Sequence, residues 1–402
     1  MTYQHSKTIL LQNAIYKILI GVLFIILTSC SGNEIRAIID ADKPETKASQ
    51  LLKAKGRYYV KNPEQLRKDI EDLQAKIKKF RQTIDSVWGK KDKKESGPKD
   101  YVKYTDKYYN RAHINFETGN VTVETLAPDS QQAYLKKAII STLLTPDDPR
   151  QVDLYSDTTP VADGKNRPFL YEQVLDQDGK AIAWKWRANR YAEYLIKNQL
   201  QKVKLGNKKG LRVTFSLVAK HKQLRAYKYA ELVRKYSNKY NVTESLIYGV
   251  IKTESSFNPF AVSHAPAYGL MQIVPSTAGR DVFEKIKQRS DQPTPEYLYN
   301  PGNNIDTGTA YLKILHEHYL AKIKDNNSRR YSVISAYNGG AGNVFKTFSS
   351  NRDMAVSKIN QLSANQVYQK LHTQHPSQES RHYLYKVTEA QKEFLRNEGF
   401  SK

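Results

Sequence analysis

The sequence contains one cysteine, Cys30, among 402 residues. One thiol cannot form a disulfide bond within the chain, and no pairs of cysteines are present for a zinc finger. An oxidising compartment therefore places no constraint on the fold.

Long apolar segments are also missing. The most apolar run, Ile18 to Leu27, is too short to span a membrane comfortably, and 39% hydrophobic residues suits globular cores but not a polytopic membrane protein. The run follows Lys7 and Lys17, and it ends shortly before Cys30. This pattern resembles a signal peptide with a bacterial lipobox, which implies cleavage before Cys30 and lipidation at that residue.

The residue after the lipidation site predicts where the anchor lies. Position 31 is Ser and not Asp, which in Gram-negative lipoproteins implies export to the outer membrane. We therefore expect a periplasm-facing protein attached to that membrane through Cys30. The alternative is an uncleaved signal anchor in which the cysteine is incidental.

Acidic residues are few relative to basic ones. There are 40 Asp and Glu against 64 Lys and Arg, for a net charge of +24. Such a charge suggests a polyanionic partner, such as nucleic acid, an anionic membrane surface or an acidic polymer. The sequence has no zinc finger, RNP motif or basic zipper, so we do not expect nucleic acid to be the partner.

Four segments follow one another along the chain. We predict a signal peptide over residues 1–29, a lipidated tether over 30–49, an α+β N-terminal domain of unknown role over 50–220, and an all-α domain over 221–402. Strand signals disappear after about Leu224, and helical patterns separated by Asn, Pro and Gly turns take over.

The α+β domain has identifiable elements but no obvious chemical constellation. A second hairpin is predicted for Gln173–Leu175 with Ala181–Trp186, and Asp176 and Asp178 between them favour turn chemistry over a calcium loop. The other predicted elements are a helix ending near Trp88, a hairpin of Arg111–Phe116 with Val121–Leu126, helices over Gln131–Leu144 (capped by Ser130 or Asp129) and Tyr191–Val203, and a strand over Leu211–Val218.

Glu254 is the candidate for chemistry in the all-α domain. Ile247, Val250 and Ile251 precede it by seven, four and three residues, which places them on its face of a helix. A carboxyl group on an apolar face is costly to ionise, so its pKa should rise. A raised carboxyl pKa suits a general acid near neutral pH, although most helical Glu residues do no chemistry.

Four short motifs occur in order along this domain. They are Glu254-Ser255 with Phe257-Asn258-Pro259, then Ser263 and Gly269-Leu270-Met271-Gln272, then Ala336-Tyr337-Asn338-Gly339-Gly340, and last Glu379-Ser380-Arg381-His382-Tyr383. Each is weak alone, but together the order and spacing are specific. Over roughly residues 225–395 the chain resembles the soluble-lytic type of lytic transglycosylase, whose catalytic domain has a goose-type lysozyme fold.

The resemblance implies a role for each matching residue. Glu254 would be the sole acid and base, and Ser263 would lie near the substrate N-acetyl group. The other residues implied to contact substrate or surround Glu254 are Met271, Gln272, Tyr337, Asn338 and Tyr383. Core packing is an equally good reading of Met271 and Tyr337, and a turn or capping role is the alternative for Ser263 and Gln272.

The resemblance also implies a reaction with one carboxyl group. Glu254 would cleave the bond between N-acetylmuramic acid and N-acetylglucosamine in peptidoglycan and leave a 1,6-anhydromuramyl end, with no metal or cofactor. The carboxylates Asp281, Glu284 and Asp306 lie outside the motifs and are interpreted as surface or packing charges. The alternatives are a non-catalytic peptidoglycan-binding lipoprotein and a hydrolytic muramidase with a second carboxylate. A further alternative is that the N-terminal domain carries the main function, as a protein-docking or glycan-binding module.

Overall fold

The structure is a computed structural model of the full chain. It describes residues 63–161, 166–263, 267–397 and 399, and side chains from residue 75 onward. The predicted signal peptide, Cys30 and the tether lie outside the described residues.

The first half of the described chain is built on an antiparallel sheet. Its strands are β1 Asp100–Thr105, β2 Asn110–Asn115, β3 Asn120–Thr125, β4 Gln201–Leu205 and β5 Lys208–Ser216, and they lie in the order β1-β2-β3-β5-β4. The β2–β3 hairpin pairs Asn115 with Asn120 and Asn110 with Thr125, which confirms the first predicted hairpin.

Helices cover both faces of the sheet. Helix α1, Pro63–Trp88, buries Phe80, Ile84 and Trp88 against Val102 and Tyr104 of β1. Since side chains alternate along a strand, Tyr101 faces the opposite side. There it joins the core that contains α2, Gln131–Leu143, and α3, Lys185–Gln199.

A buried ion cluster lies between α1 and the sheet. Glu124 has no exposed surface and accepts hydrogen bonds from Arg111 at 2.5 Å and Arg212 at 2.5 Å. Arg111 also lies 4.0 Å from the centre of the Trp88 ring. Burial alone would raise the pKa of Glu124, but the two guanidinium groups outweigh it and hold that pKa below its usual range.

Several predicted boundaries in this half are wrong. The second hairpin is only an isolated bridge between Leu175 and Ala181. Helix α3 begins at Lys185 because Ala188, Ala192 and Leu195 form a buried stripe at helical spacing. The predicted helix Tyr191–Val203 ends earlier, at Gln199, and the residues that follow form strand β4. Strand β1 was not predicted.

Two local predictions about turns have different outcomes. Asp176 forms the predicted turn, accepting the N–H groups of Asp178 at 3.0 Å and Lys180 at 2.9 Å. Ser130 occupies the N-cap position of α2, but its φ of 45° is left-handed and its side chain makes no capping hydrogen bond. The cap position was therefore right and its proposed chemistry wrong.

The second half is helical, as predicted, and its apolar core is continuous with that of the sheet. In α6, Ile247, Val250 and Ile251 are completely buried. The helices are α4 His221–Lys228, α5 Ala230–Tyr240, α6 Glu244–Ser255, α7 Arg280–Lys285, α8 Pro295–Tyr299, α9 Pro301–Ile314, α10 Asn326–Gly339, α11 Ala341–Lys346, α12 Arg352–Gln361, α13 Ala364–Gln374 and α14 Gln378–Arg396. The described protein is thus an α+β unit followed by an all-α unit.

Candidate active site

Glu254 lies in the last turn of α6, where that helix packs against α14. The two helices approach closely at Gly249, since a Cβ atom there would lie 3.0 Å from the carbonyl oxygen of Val387. Glu254 is partly exposed as a residue, whereas Ile247, Val250 and Ile251 on the same helix are completely buried.

The environment of Glu254 disfavours its charge. Burial raises the pKa of Glu254 to about 8, and the negative charge of Glu379 adds to the rise. The Tyr383 hydroxyl and the positive charge of Lys99 act in the opposite direction but are outweighed. The raised pKa predicted from the sequence is confirmed, and Glu254 is largely protonated at neutral pH.

Two tyrosines stand beside this carboxyl group. The rings of Tyr337 and Tyr383 stack with centroids 6.5 Å apart. Burial, and then the charge of Glu254, raise the pKa of each hydroxyl well above its ordinary value, so both remain neutral donors. Tyr337 donates to the carbonyl oxygen of Met271 at 2.8 Å, whereas the Tyr383 hydroxyl makes no well-formed hydrogen bond with the described residues.

Asn338 links the third and fourth motifs. Its Oδ1 accepts a hydrogen bond from the Ser380 hydroxyl at 2.6 Å, and its Nδ2 donates to Glu379 at 3.0 Å. These bonds join the end of α10 to the first turn of α14. Asn338 therefore holds Glu379, whose charge acts on Glu254, at the edge of the site.

The Gly269–Gln272 segment is a tight loop that requires an unusual backbone. Gly269 has a φ of 70°, and a Cβ atom there would lie 2.5 Å from Nδ2 of Asn304. Gln272 also has a positive φ, 47°, and its Nε2 donates to the carbonyl oxygen of Gly269 at 2.9 Å. The other polar atom of its side chain, Oε1, is buried and has no hydrogen-bond partner among the described residues.

Met271 has no exposed surface, and its side chain packs against Gly308 of α9. This burial agrees with the core-packing reading of Met271, and its role in substrate binding stays a prediction. What Met271 presents toward the site is its backbone carbonyl, which accepts the Tyr337 hydroxyl.

Ser263 lies in the loop between α6 and the Gly269–Gln272 segment and is partly exposed. Its N–H donates to the carbonyl oxygen of Ala267 at 3.1 Å, and its hydroxyl accepts the N–H of Ala267 at 3.4 Å. Tyr268 continues this loop by bridging to Val262 and Ile273. These bonds agree with the turn role, and the site role of Ser263 stays a prediction.

The three carboxylates outside the motifs have ionic partners of their own. Asp306 pairs with Lys239 at 2.8 Å and with Lys287, and Tyr240 donates to it at 2.7 Å. Asp281 pairs with Lys285, and Glu284 with Arg280. They are held as packing and surface charges, as predicted.

Two residues that shape the site, Asn304 and Lys99, were not identified from the sequence. Asn304 on α9 accepts the N–H of Met271 at 2.8 Å and donates to the carbonyl oxygens of Tyr268 and Leu298. Lys99, from the sheet half, is close enough to influence Glu254. Neither residue carries a local signal, because each acts on a segment far away in sequence.

Metal clusters and membrane-spanning helices are both missing from the described ranges. In residues 63–161, 166–263, 267–397 and 399, no group of three or more His, Cys, Asp or Glu side chains could hold a metal ion. Within those same ranges, no helix has the length and apolarity needed to cross a bilayer.

Comparison with known proteins defines the class first. Residues 231–360 match the family described as "Transglycosylase SLT domain". Residues 65–228 match "Membrane-bound lytic murein transglycosylase C, N-terminal domain". The crystal structure of the 70 kDa soluble lytic transglycosylase Slt70 from Escherichia coli is 25% identical and covers 44% of this chain and 26% of that chain, with a TM-score of 0.35.

Relatives similar over most of their length define the particular family. A membrane-bound lytic murein transglycosylase C of Yersinia enterocolitica is 49% identical over 350 residues, which are 87% of this chain and 97% of the relative. The protein of the same name from Serratia proteamaculans is 50% identical over 349 residues, 87% of this chain and 97% of the relative. The chain belongs to the membrane-bound lytic murein transglycosylase C family.

Proposed function

We propose that the protein cleaves the β-1,4 bond between N-acetylmuramic acid and N-acetylglucosamine in peptidoglycan without using water, and leaves 1,6-anhydromuramyl ends. Glu254 acts first as the acid and then as the base. The observation that carries the proposal is the raised pKa of Glu254, about 8, in a partly open site between α6 and α14.

The first step is proton donation. Protonated Glu254 gives its proton to the glycosidic oxygen, and the C1–O bond of the muramyl residue breaks. The muramyl N-acetyl oxygen assists at C1, so an oxazolinium-like intermediate forms and no second carboxylate is required. A two-carboxylate mechanism would instead place carboxyl groups about 5–9.5 Å apart across the bond.

The second step returns the proton. Glu254, now a carboxylate, takes the proton of the muramyl C6 hydroxyl, whose oxygen attacks C1. The bond between C1 and the N-acetyl oxygen breaks in the same step, so the N-acetyl group is restored and the 1,6-anhydro ring closes. Since the attacking hydroxyl belongs to the same sugar, its effective concentration far exceeds that of competing water. The apolar surroundings of Glu254 support both steps, because they hold the acid neutral and limit access of water.

The remaining site residues are proposed to position substrate. Tyr383 offers a neutral hydroxyl beside Glu254, and Tyr337 braces that ring by stacking. Gln272 supplies a buried Oε1 without a partner in the described part of the protein, suited to accept a sugar hydroxyl. Asn338 orders the edge of the site through Ser380, and Ser263 lies near the substrate N-acetyl group.

The test is mass spectrometry of muropeptides released from purified sacculi by the full-length protein in detergent. We expect wild type to release products with anhydro ends. E254Q should lower the rate at least about a thousandfold, because an amide cannot donate the proton. E379Q is the matched control: it neutralises the neighbouring carboxylate, and we expect its products to keep anhydro ends.

Other products would support the alternatives. Reducing ends from wild type would mean that water attacks, and loss of turnover in E379Q would identify a second carboxylate. Sacculus binding without any products would indicate a non-catalytic lipoprotein. Substantial turnover by E254Q would remove Glu254 from the mechanism.

We further propose that the protein is anchored in the outer membrane by lipid on Cys30 and faces the periplasm. The relatives are named as membrane-bound proteins, and the lipobox-like sequence supplies a means of attachment. Two or three acyl chains hold a protein stably where one would not. Tethering also raises the enzyme's local concentration at a polymer that cannot diffuse to it.

A further inference from the structure

The segment that follows Glu254 has an unusual backbone. Ser256 and Phe257 have φ values of 51° and 60°, in the left-handed region that residues other than Gly, Asn and Asp rarely occupy. Neither residue is a glycine, so the turn needs outside contacts to persist. Because it begins two residues after Glu254, its conformation determines where the last turn of α6 places the carboxyl group.

Contacts from the sheet half hold this turn. The Ser256 hydroxyl donates to Oε2 of Glu117, in the turn between β2 and β3, at 2.9 Å. Asn258 donates through Nδ2 to the carbonyl oxygen of Pro98, just before β1, at 3.1 Å. The turn at Ser256 and Phe257 is therefore hydrogen-bonded to two loops at one end of the sheet.

Arg225 of α4 makes the same connection from the interior. Arg225 is 1% exposed, and its guanidinium donates to the carbonyl oxygens of Ser256 at 3.2 Å and Phe116 at 2.9 Å. It also donates to Gln173 Oε1 at 2.9 Å. Burial lowers the pKa of Arg225 to about 10, so the group stays charged at neutral pH.

The Glu117 carboxylate is itself fixed in place. Asn115 Oδ1 accepts the N–H groups of Glu117 at 3.1 Å and Thr118 at 2.8 Å, which orders the hairpin turn. Lys99 pairs with Glu117, and Lys222 lies 3.4 Å from it. Gly119 lets this turn approach α4, since a Cβ atom there would lie 2.9 Å from Nε2 of His221.

The same cluster brings a charge to the site. The charged and titratable groups that act on Glu254 are Lys99 from the sheet half and Glu379 and Tyr383 from α14. Glu254 in turn acts on Tyr337 of α10, raising the pKa of its hydroxyl. Lys99 is the cation of this set, and Glu117 pairs with it. Any change at Glu117 therefore alters both the turn and the net charge near Glu254.

We propose that Glu117, on the β2–β3 hairpin of the sheet, is a positioning residue for Glu254: it fixes the turn at Ser256 and balances the charge of Lys99. This gives the sheet half a role in the reaction. The inference rests on the proposed function in that Glu254 is taken as the acid.

The test compares E117A, E117Q and K99Q in the full-length protein on soluble glycan strands. E117A loses the bond to Ser256, and we expect kcat to fall about tenfold to a hundredfold while KM changes less than threefold. A fall of that kind would reflect a displaced Glu254 or a changed charge beside it, because Glu117 itself donates no proton in the mechanism; E117Q, which changes the same charge, separates the two causes. E193Q is the matched control, since Glu193 of α3 is also a glutamate paired with a lysine, Lys136 of α2.

The pH profile supplies a readout that general loosening of the fold would not produce. E117Q leaves Lys99 without its balancing carboxylate, so the Glu254 carboxylate is favoured and the alkaline limb of kcat/KM moves to lower pH. K99Q removes the cation, and the limb moves to higher pH. We expect shifts of about half a pH unit in opposite directions, with E193Q unchanged.

Two outcomes would overturn the proposal. In the first, E117A has the same kcat as E193Q. In the second, the alkaline limbs of kcat/KM for E117Q and K99Q stay at the wild-type pH or shift in the same direction. Wild type and E254Q are assayed in parallel. If wild type forms anhydro ends and E254Q does not, a failure at Glu117 counts against this inference alone; if E254Q stays active, the proposed function fails first.

Discussion

At the scale of the residue, Glu254 combines two properties that usually exclude each other. It is partly exposed, yet its pKa is raised to about 8 because the surrounding protein desolvates it. Burial is the largest influence on this pKa, and the charges of Lys99 and Glu379 act on it in opposite directions. A change to the carboxyl group should therefore be visible in stability as well as in catalysis.

The first prediction concerns the stability of E254Q. The pKa of Glu254 is raised from 4.5 to about 8 on folding, so between these values the folded protein retains a proton that the unfolded chain has lost. Glu254 therefore costs stability that increases as pH rises, by up to about 1.4 kcal/mol per pH unit. Glutamine has no such cost.

The unfolding free energy of E254Q minus that of wild type should grow from about pH 4.5 and level off above about 8. Urea unfolding at several pH values measures it. E193Q is the control, because Lys136 lowers the pKa of Glu193 and its difference should not grow in this direction. A difference for E254Q that is flat with pH would mean that Glu254 has an ordinary pKa.

At the scale of the element, the site depends on loops that are held by helices distant in sequence. Asn304 is completely buried on α9, and its side chain bonds three backbone groups, at Tyr268, Met271 and Leu298. One amide thus fixes the backbone whose carbonyl, at Met271, accepts the Tyr337 hydroxyl. The Gly269–Gln272 loop has its geometry only when α9 is packed beside it.

We expect N304A to weaken both stability and turnover. Each buried backbone group left without a partner costs about 1–3 kcal/mol, and the displaced loop should lower sacculus digestion at least about tenfold. Urea unfolding and the release of muropeptides measure the two effects. N303A is the control, one residue earlier on the same helix and partly exposed; an N304A variant that behaves like N303A would refute the assignment.

At the scale of the whole molecule, the two halves of the described chain share an apolar core and are also joined by polar contacts next to the site. The net charge of +24 suits a protein that works between an anionic membrane and an anionic polymer. In the proposed arrangement, the lipid on Cys30 keeps the whole unit close to the cell wall.

The corresponding prediction is that C30A abolishes lipid attachment. The C30A protein should leave the membrane pellet or remain unprocessed, whereas wild type should sediment with outer membranes. S31D is a useful control, because it keeps the acylated cysteine but should move the protein to the inner membrane. C30A that stays membrane-bound with its N-terminus uncleaved would support the signal-anchor alternative.

The helical half and the raised pKa of Glu254 could be predicted from the sequence, because both depend on local spacing. A carboxyl group three and four residues from large apolar side chains must share their face of a helix, and the structure places it there with a raised pKa. The β2–β3 hairpin was equally predictable, since its two runs flank a short turn that contains Gly119. The end of α3 at Gln199 and the existence of strand β1 could not be predicted in this way, because sheet pairing overrides local propensity.

Tertiary structure alone decided what surrounds the carboxyl group. Only packing could bury the Met271 side chain against Gly308, and only the packing of α9 beside the loop could bring Asn304 to it. The contacts of Glu117 and Lys99 join positions more than a hundred residues from Glu254. Hydrogen bonds and charges act over a few ångströms of space regardless of separation along the chain. The sequence by itself therefore determined where Glu254 lies on its helix, and the fold determined what surrounds and holds it.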